Sequence, residues 1–345
     1  MKALVLHGTG DLRVDDVPEP EAGPGQVKVR IRAVGVCGSD VHYYTHGRIG
    51  DQVVEKPIIV GHEGAGEIVA LGKGVEGLSV GQRVAIEPAR SCGQCEWCLA
   101  GKPNLCPNVR FCSTPPVDGL MCELAVLEAH QCVPIPDALS WEEAAMLEPL
   151  QVSVHATNLM GTVPGETVAV VGCGCIGLGC MEMAKVGGAA RILVTDKLGY
   201  RLDLARRLGA DETVSATDED PAETVRRLTD GRGADLVFEC TNRCAGAPQA
   251  YELAAIGGRV CLVGIPEEDA ITLDAHHPRR KELRVQYVRR SRHAARQAMT
   301  LVATGRLDVA SWVTHRVGLE GAAGAFDTVA EYADGVLKAV VLPND

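Results

Sequence analysis

Val168-Ala169-Val170-Val171-Gly172-Cys173-Gly174-Cys175-Ile176-Gly177 runs from an apolar strand through a glycine-rich turn into a helical pattern. The spacing is Gly-x-Gly-x-x-Gly, and the flanks give it meaning. Gly172 permits a tight turn, Gly174 lets backbone amides approach a pyrophosphate, and Gly177 lets strand and helix pack closely. Asp196 ends the next strand-like run about 20 residues on. A carboxylate there binds ribose hydroxyls and repels a 2′-phosphate, so NAD is expected rather than NADP. Lys197 and Arg201 lie beside it. The plain alternative is a glycine turn in an α/β protein with no nucleotide.

Working outward, strand-like and helix-like segments alternate from about residue 150. The expected strands are Thr167–Val171, Ile192–Thr195, Glu212–Val214, Leu236–Glu239, Arg259–Val263 and Arg284–Val288, with helical patterns such as 201–208 between most of them. Six short apolar strands joined by helices imply an α/β, doubly wound parallel sheet. The first half reads differently. Val27-Lys28-Val29-Arg30-Ile31-Arg32 alternates apolar and charged residues, as a strand with one wet face does. Frequent Pro and Gly there imply short strands and many turns. Beyond residue 290 a helix is expected over 293–303, a shorter one over 322–333 and a strand over 338–342. This tail is too short for a third domain and should fold back onto the first.

Size and charge bound the function. The chain has 345 residues, enough for two domains. Its net charge of -11, with no long basic run, argues against a nucleic-acid partner. No apolar run approaches a membrane span, and the start is too short in apolar residues for a signal peptide. A cytoplasmic protein with a small-molecule substrate is expected.

Fourteen cysteines in such a chain read as metal ligands and buried thiols rather than disulfides. Cys92-x2-Cys95-x2-Cys98-x7-Cys106 can close a tetrahedral sulfur site with no open position, which suits a structural zinc. An iron–sulfur cluster is the rival, but the last gap is too long for the bacterial spacing. A second, open site is expected from Cys37, His62, Glu63 and Glu148. A catalytic zinc keeps three protein ligands and one free position, and acts there as a Lewis acid on an alcohol. Ser39 would accept the hydroxyl proton and His42 would pass it to solvent. Ser39 and Asp40 could instead simply cap a helix. Metal site and nucleotide loop together indicate hydride transfer.

These residues resemble the zinc-dependent medium-chain dehydrogenase/reductase (alcohol dehydrogenase) family, and within it the sorbitol/xylitol (polyol) dehydrogenase group. Gly61-His62-Glu63-x2-Gly66-x5-Gly72 matches the family's zinc signature, and Cys37-Gly38-Ser39-Asp40-Val41-His42-Tyr43, His46-Gly47-Arg48-Ile49-Gly50, Phe111-Cys112-Ser113-Thr114-Pro115-Pro116 and Glu148-Pro149-Leu150 match the group. The resemblance implies a GroES-like β-rich catalytic domain from residues 1–152 and 290–345, with a Rossmann domain at 153–289. It implies two zinc ions per chain. One would sit on Cys37, His62 and Glu63 plus a water held by Glu148. In classical alcohol dehydrogenases a cysteine takes the place of Glu148, so Glu148 could be a direct ligand. The resemblance further puts NAD on Gly172, Gly174, Ile176, Gly177, Asp196, Arg201, Val263, Gly264, Ile265, Val288 and Arg289. Substrate would meet Tyr43, Phe111, Thr114, Glu148 and Arg290. A homotetramer or homodimer is implied as well.

One departure matters for substrate. Val288-Arg289-Arg290-Ser291-Arg292-His293 stands where the group shows Phe-Arg-Tyr, so Arg289 replaces the aromatic and Ser291 the tyrosine. Guanidinium groups pair well with carboxylates, which makes an aldonate a competing substrate. Alternatively Arg289 and Arg292 point at cofactor phosphates or solvent. The expected reaction is oxidation of a polyol secondary alcohol to a ketose. A sugar-acid 5-dehydrogenase, a dehydrogenase of a small diol or hydroxy amino acid, and a non-catalytic NAD-binding structural or sensing protein are the alternatives.

Overall fold

A computed structural model describes residues 1–344. The chain divides into two compact units, Met1–Pro149 with Ala295 onward, and Leu150–Ala294. The helix Trp141–Met160 carries the chain from one to the other.

The first unit is built on a seven-stranded sheet. Its order is Cys132–Pro134, Arg83–Ile86, Glu63–Leu71, Gln26–Gly35, Lys338–Leu342 and Val313–Gly318, with Leu124–Glu128 also pairing Gln26–Gly35. Tail and first half therefore share one sheet: Val340 pairs with Gly35 antiparallel. Gln26–Gly35 is central because Val27, Val29, Ile31, Ala33 and Val34 are fully buried. Its other face is drier than the alternation suggests. Lys28 is buried, and its ammonium meets Glu19 at 2.9 Å and Glu21 at 3.0 Å. The preceding Pro-rich segment folds over that face and supplies the counter-charges.

The second unit is a six-stranded parallel sheet. Its order is Glu212–Ser215, Arg191–Asp196, Thr167–Val171, Ala234–Glu239, Ala254–Leu262 and Arg284–Tyr287. Counted along the chain, this is the doubly wound 3-2-1-4-5-6 arrangement. Strand residues Ala169, Val171, Leu193, Val237 and Val260 pack against helix residues Val225, Ala250 and Leu253. Strand order reverses at Thr167–Val171, so the turn at Gly172 lies at the switch point where such sheets bind ligands. Among the described residues no helix is long and apolar enough to cross a membrane.

Candidate metal centres and nucleotide loop

Cys37 is the N-cap of the helix Gly38–His46, and Glu63 opens the strand Glu63–Leu71 directly after His62. This brings one ligand atom each from Cys37, His62 and Glu63 within 4.8 Å of one another. Donors around a tetrahedral zinc at 2.0–2.3 Å lie roughly 3.3–3.8 Å apart, so a small adjustment closes the site. Glu148, half-buried on the helix Trp141–Met160, is not in this group. Burial pushes its carboxyl up to about 8; the negative Glu63 and Glu87 add to the rise, while His62 and Lys338 oppose it.

The imidazole is braced from behind. His62 Nδ1 lies 3.3 Å from Asp40 Oδ1, which also accepts the Ser113 hydroxyl at 2.5 Å. The Cys37 amide donates to Asp40 Oδ2 at 3.4 Å. Asp40 is fully buried, and burial pushes its carboxyl up. The charge and hydrogen bond of His62, then Ser113 and the Cys37 amide, outweigh that and hold it below its ordinary value. For His62, burial disfavours the cation, but Asp40 and Cys37 outweigh it and raise its pKa well above normal. The negative field that favours a proton on this ring equally favours a metal cation beside it. An acid that fixes the ring through one nitrogen leaves the other for the ion. Glu63 is also held, by Lys338 Nζ at 2.8 and 2.7 Å from its two oxygens.

The remaining expected site residues lie around this cluster. Ser39 donates to Cys37 Sγ at 3.3 Å, and His42 follows one turn later on the same helix, buried, its ring 5.8 Å from that of the exposed His46. The Phe111 ring sits 5.2 Å from that of His62. Thr114 follows Ser113, and its amide donates to Phe111 O at 3.0 Å. Tyr43 is buried, with its hydroxyl donating to Gln52 Oε1 at 3.3 Å.

The four-cysteine lobe is compact. Cys92 Sγ lies 4.0 Å from Cys98 Sγ and 3.5 Å from Cys106 Sγ, and Cys95 Sγ lies 3.5 Å from Cys98 Sγ. Four thiolates at 2.3 Å from a tetrahedral zinc are about 3.8 Å apart, so the set fits that ion. Amides of Gln94 and Cys95, with the Cys106 thiol, bring the Cys92 thiol down to about 6, toward the thiolate a metal needs.

In the second unit the glycines behave as their spacing requires. Gly172 has φ +83°, and a Cβ on Gly177 would collide with the Gly172 carbonyl. Around Gly174 the only neighbour of an added Cβ is Arg201 Nη1, at 3.8 Å, so the loop stays open there. The helix Cys175–Val186 follows, presenting amides to an anion. The Ile176 carbonyl accepts the Ser153 hydroxyl at 2.9 Å. Asp196 is fixed by two amides, Cys173 at 2.7 Å and Leu198 at 2.9 Å. Arg201 lies on the next helix, Gly199–Leu208; burial acts against its charge, but Asp196 sustains it. Val263 and Gly264 donate to Glu239 O at 2.8 and 3.1 Å, Ile265 is exposed, and Val288 donates to Leu262 O at 3.0 Å. These residues lie at C-terminal strand ends, the edge that holds Gly172 and Asp196. Arg289 is exposed, while Arg290 takes a left-handed φ of 54°.

A domain family described as alcohol dehydrogenase GroES-like domain matches residues 23–137, and one described as zinc-binding dehydrogenase matches residues 175–304. Sorbitol dehydrogenase of Bacillus subtilis is 38% identical over 344 residues, covering 100% of this chain and 98% of its own. Human sorbitol dehydrogenase is 39% identical, covering 94% of this chain and 92% of its own. Among solved structures, an Escherichia coli oxidoreductase/dehydrogenase of unknown specificity gives a TM-score of 0.94 at 31% identity, over 100% of this chain and 99% of its own. L-idonate 5-dehydrogenase from E. coli gives 0.91 at 26% identity, over 99% and 98%.

The chain belongs to the zinc-binding alcohol dehydrogenase family. Its cofactors are NAD and zinc, and its fold is the family's GroES-like unit with a doubly wound one. For this dehydrogenase the sequence reading missed three supports of the centre: the functional weight of Asp40, and all of Ser113 and Lys338. Asp40 carried a signal, an acid three residues after a candidate ligand cysteine. Ser113 and Lys338 carried none, because their partners lie 73 and 275 residues away.

Proposed function

We propose that this dehydrogenase oxidises a secondary hydroxyl of an acyclic polyol to a ketone, with sorbitol to fructose and xylitol to xylulose as the leading cases. The convergence of Cys37, His62 and Glu63 within 4.8 Å, braced by buried Asp40, carries the reading. The sorbitol dehydrogenase of B. subtilis, 38% identical over 344 residues, supports the substrate class. Cys37, His62 and Glu63 would hold the catalytic zinc, which when bound supplies the Lewis acidity that eases loss of the hydroxyl proton. Ser39 would receive that proton and His42 would deliver it outward. Glu148, on the helix Trp141–Met160, would hydrogen-bond a substrate hydroxyl and orient it. Cys92, Cys95, Cys98 and Cys106 would hold the second zinc.

Arg289, Arg290 and Arg292 favour one competing reading, in which a sugar acid is the substrate. The similarity to L-idonate 5-dehydrogenase from E. coli points the same way. A panel of polyols and aldonates, followed by NADH absorbance, separates them. Turnover of sorbitol or xylitol without turnover of aldonates is expected; the reverse pattern would replace the polyol reading. We also propose a homo-oligomer, built through the open edge strand of the second unit.

A further inference from the structure

Glu63 is gripped from a strand that does not carry it. Lys338 begins the strand Lys338–Leu342; its Nζ bonds both Glu63 oxygens and reaches Val36 O at 3.1 Å. Glu63 is 1% exposed and Lys338 5%. The register explains the meeting. Gly35, on the central strand, stands opposite Glu63 on one side and Val340 on the other. A Cβ on Gly35 would overlap Glu63 Oε2, so the glycine leaves the gap that the carboxylate fills.

We infer that Lys338 is a positioning residue for the catalytic metal, holding Glu63 back from full donation so that the ion keeps more of its positive charge for substrate. This rests on the reading of Cys37, His62 and Glu63 as that ion's site. A charge count supports it. A divalent cation with the Cys37 thiolate and the Glu63 carboxylate sums to zero, and Asp40 behind His62 brings one negative charge. Lys338 restores neutrality to this buried cluster. Without the ammonium one negative charge is in excess, Glu63 donates fully, and a cation is held more tightly. The tail strand thus trades metal affinity for Lewis acidity.

The test uses full-length protein loaded with Co(II), read by its thiolate charge-transfer and d–d bands, with metal loss to a chelator followed by metal content. Lys338→Met should retain the ion on the order of tenfold longer, the usual size of effects from groups behind metal ligands, and should change the d–d band. Lys338→Arg should stay near the parent. In a Glu63→Gln background, Lys338→Met should change nothing, because its effect runs through the carboxylate. This arm also serves if Lys338→Met alone does not fold. A folded Lys338→Met with the parent's spectrum and release rate would overturn the inference, as would an effect that persists without Glu63. Cys37→Ser separates the two readings: if it loses no metal, the site assignment fails rather than the role of Lys338.

Discussion

Asp40 makes the residue-scale argument of the metal centre. It is a fully buried carboxylate that touches His62, Ser113 and the Cys37 amide. Asparagine in its place keeps the shape but removes the charge that orients and polarises the imidazole. Asp40→Asn should weaken metal binding about 10–100-fold, with kcat falling alongside. Titration of the depleted protein with Zn(II) checks this, and an unchanged affinity would reduce Asp40 to a helix-start residue. Cys37, His62 and Glu63 were legible because the chain writes them as compact local signatures. Lys338 was not, since an ion pair 275 residues apart leaves no local trace. Gly35, which leaves room for the Glu63 carboxylate, looks like any other glycine until a Cβ is placed on it.

At the scale of elements, the four-cysteine lobe depends most on something other than its own packing. Its regular structure is limited to the helix Glu96–Leu99 and the single turn Pro103–Leu105. Its apolar side chains face outward: Trp97 is 38% exposed, Leu99 76% and Leu105 38%. Without a core, the segment is ordered by its thiolate cluster. Cys98→Ser should lower metal content from two ions per chain to one and make this lobe the first site of limited proteolysis. An intact, protease-resistant lobe in that variant would show that backbone contacts suffice. The six strands of the parallel sheet were readable as short apolar runs bounded by Gly and polar turns. The helix Trp141–Met160 was not, because Pro149 in its middle reads as a helix end. Nor did the alternation in Gln26–Gly35 reveal that Lys28 lies under a covering segment with two acidic partners.

At the scale of the whole molecule, one sheet ends where a parallel sheet rarely stays bare. All four residues of Arg284–Tyr287, the last strand in the order, are exposed, with Val285 at 38% and Tyr287 at 63%. Ile256, on the neighbouring strand, is 81% exposed. An uncovered edge with unpaired backbone groups and apolar side chains is a template for another strand, and natural proteins cover or charge such edges. Arg284 is the one charge in the strand, too little to repel a second copy. A two-fold axis beside this edge would pair it with itself, since a closed homodimer uses the same patch on both subunits. The six strands and their doubly wound parallel arrangement were anticipated from the sequence, but the exposure of the last strand was not, because apolar strand residues read alike whether a neighbour comes from the same chain or another. The double variant Val285→Lys/Tyr287→Lys puts like charges face to face across that axis. It should weaken association by on the order of a hundredfold or more, like-charge juxtaposition at an interface being worth several kcal/mol. Sedimentation velocity over a dilution series reads this directly: the parent should hold its larger mass at concentrations where the variant has dropped to 36.5 kDa. If both sediment alike, the edge is solvent-facing and any assembly uses another surface.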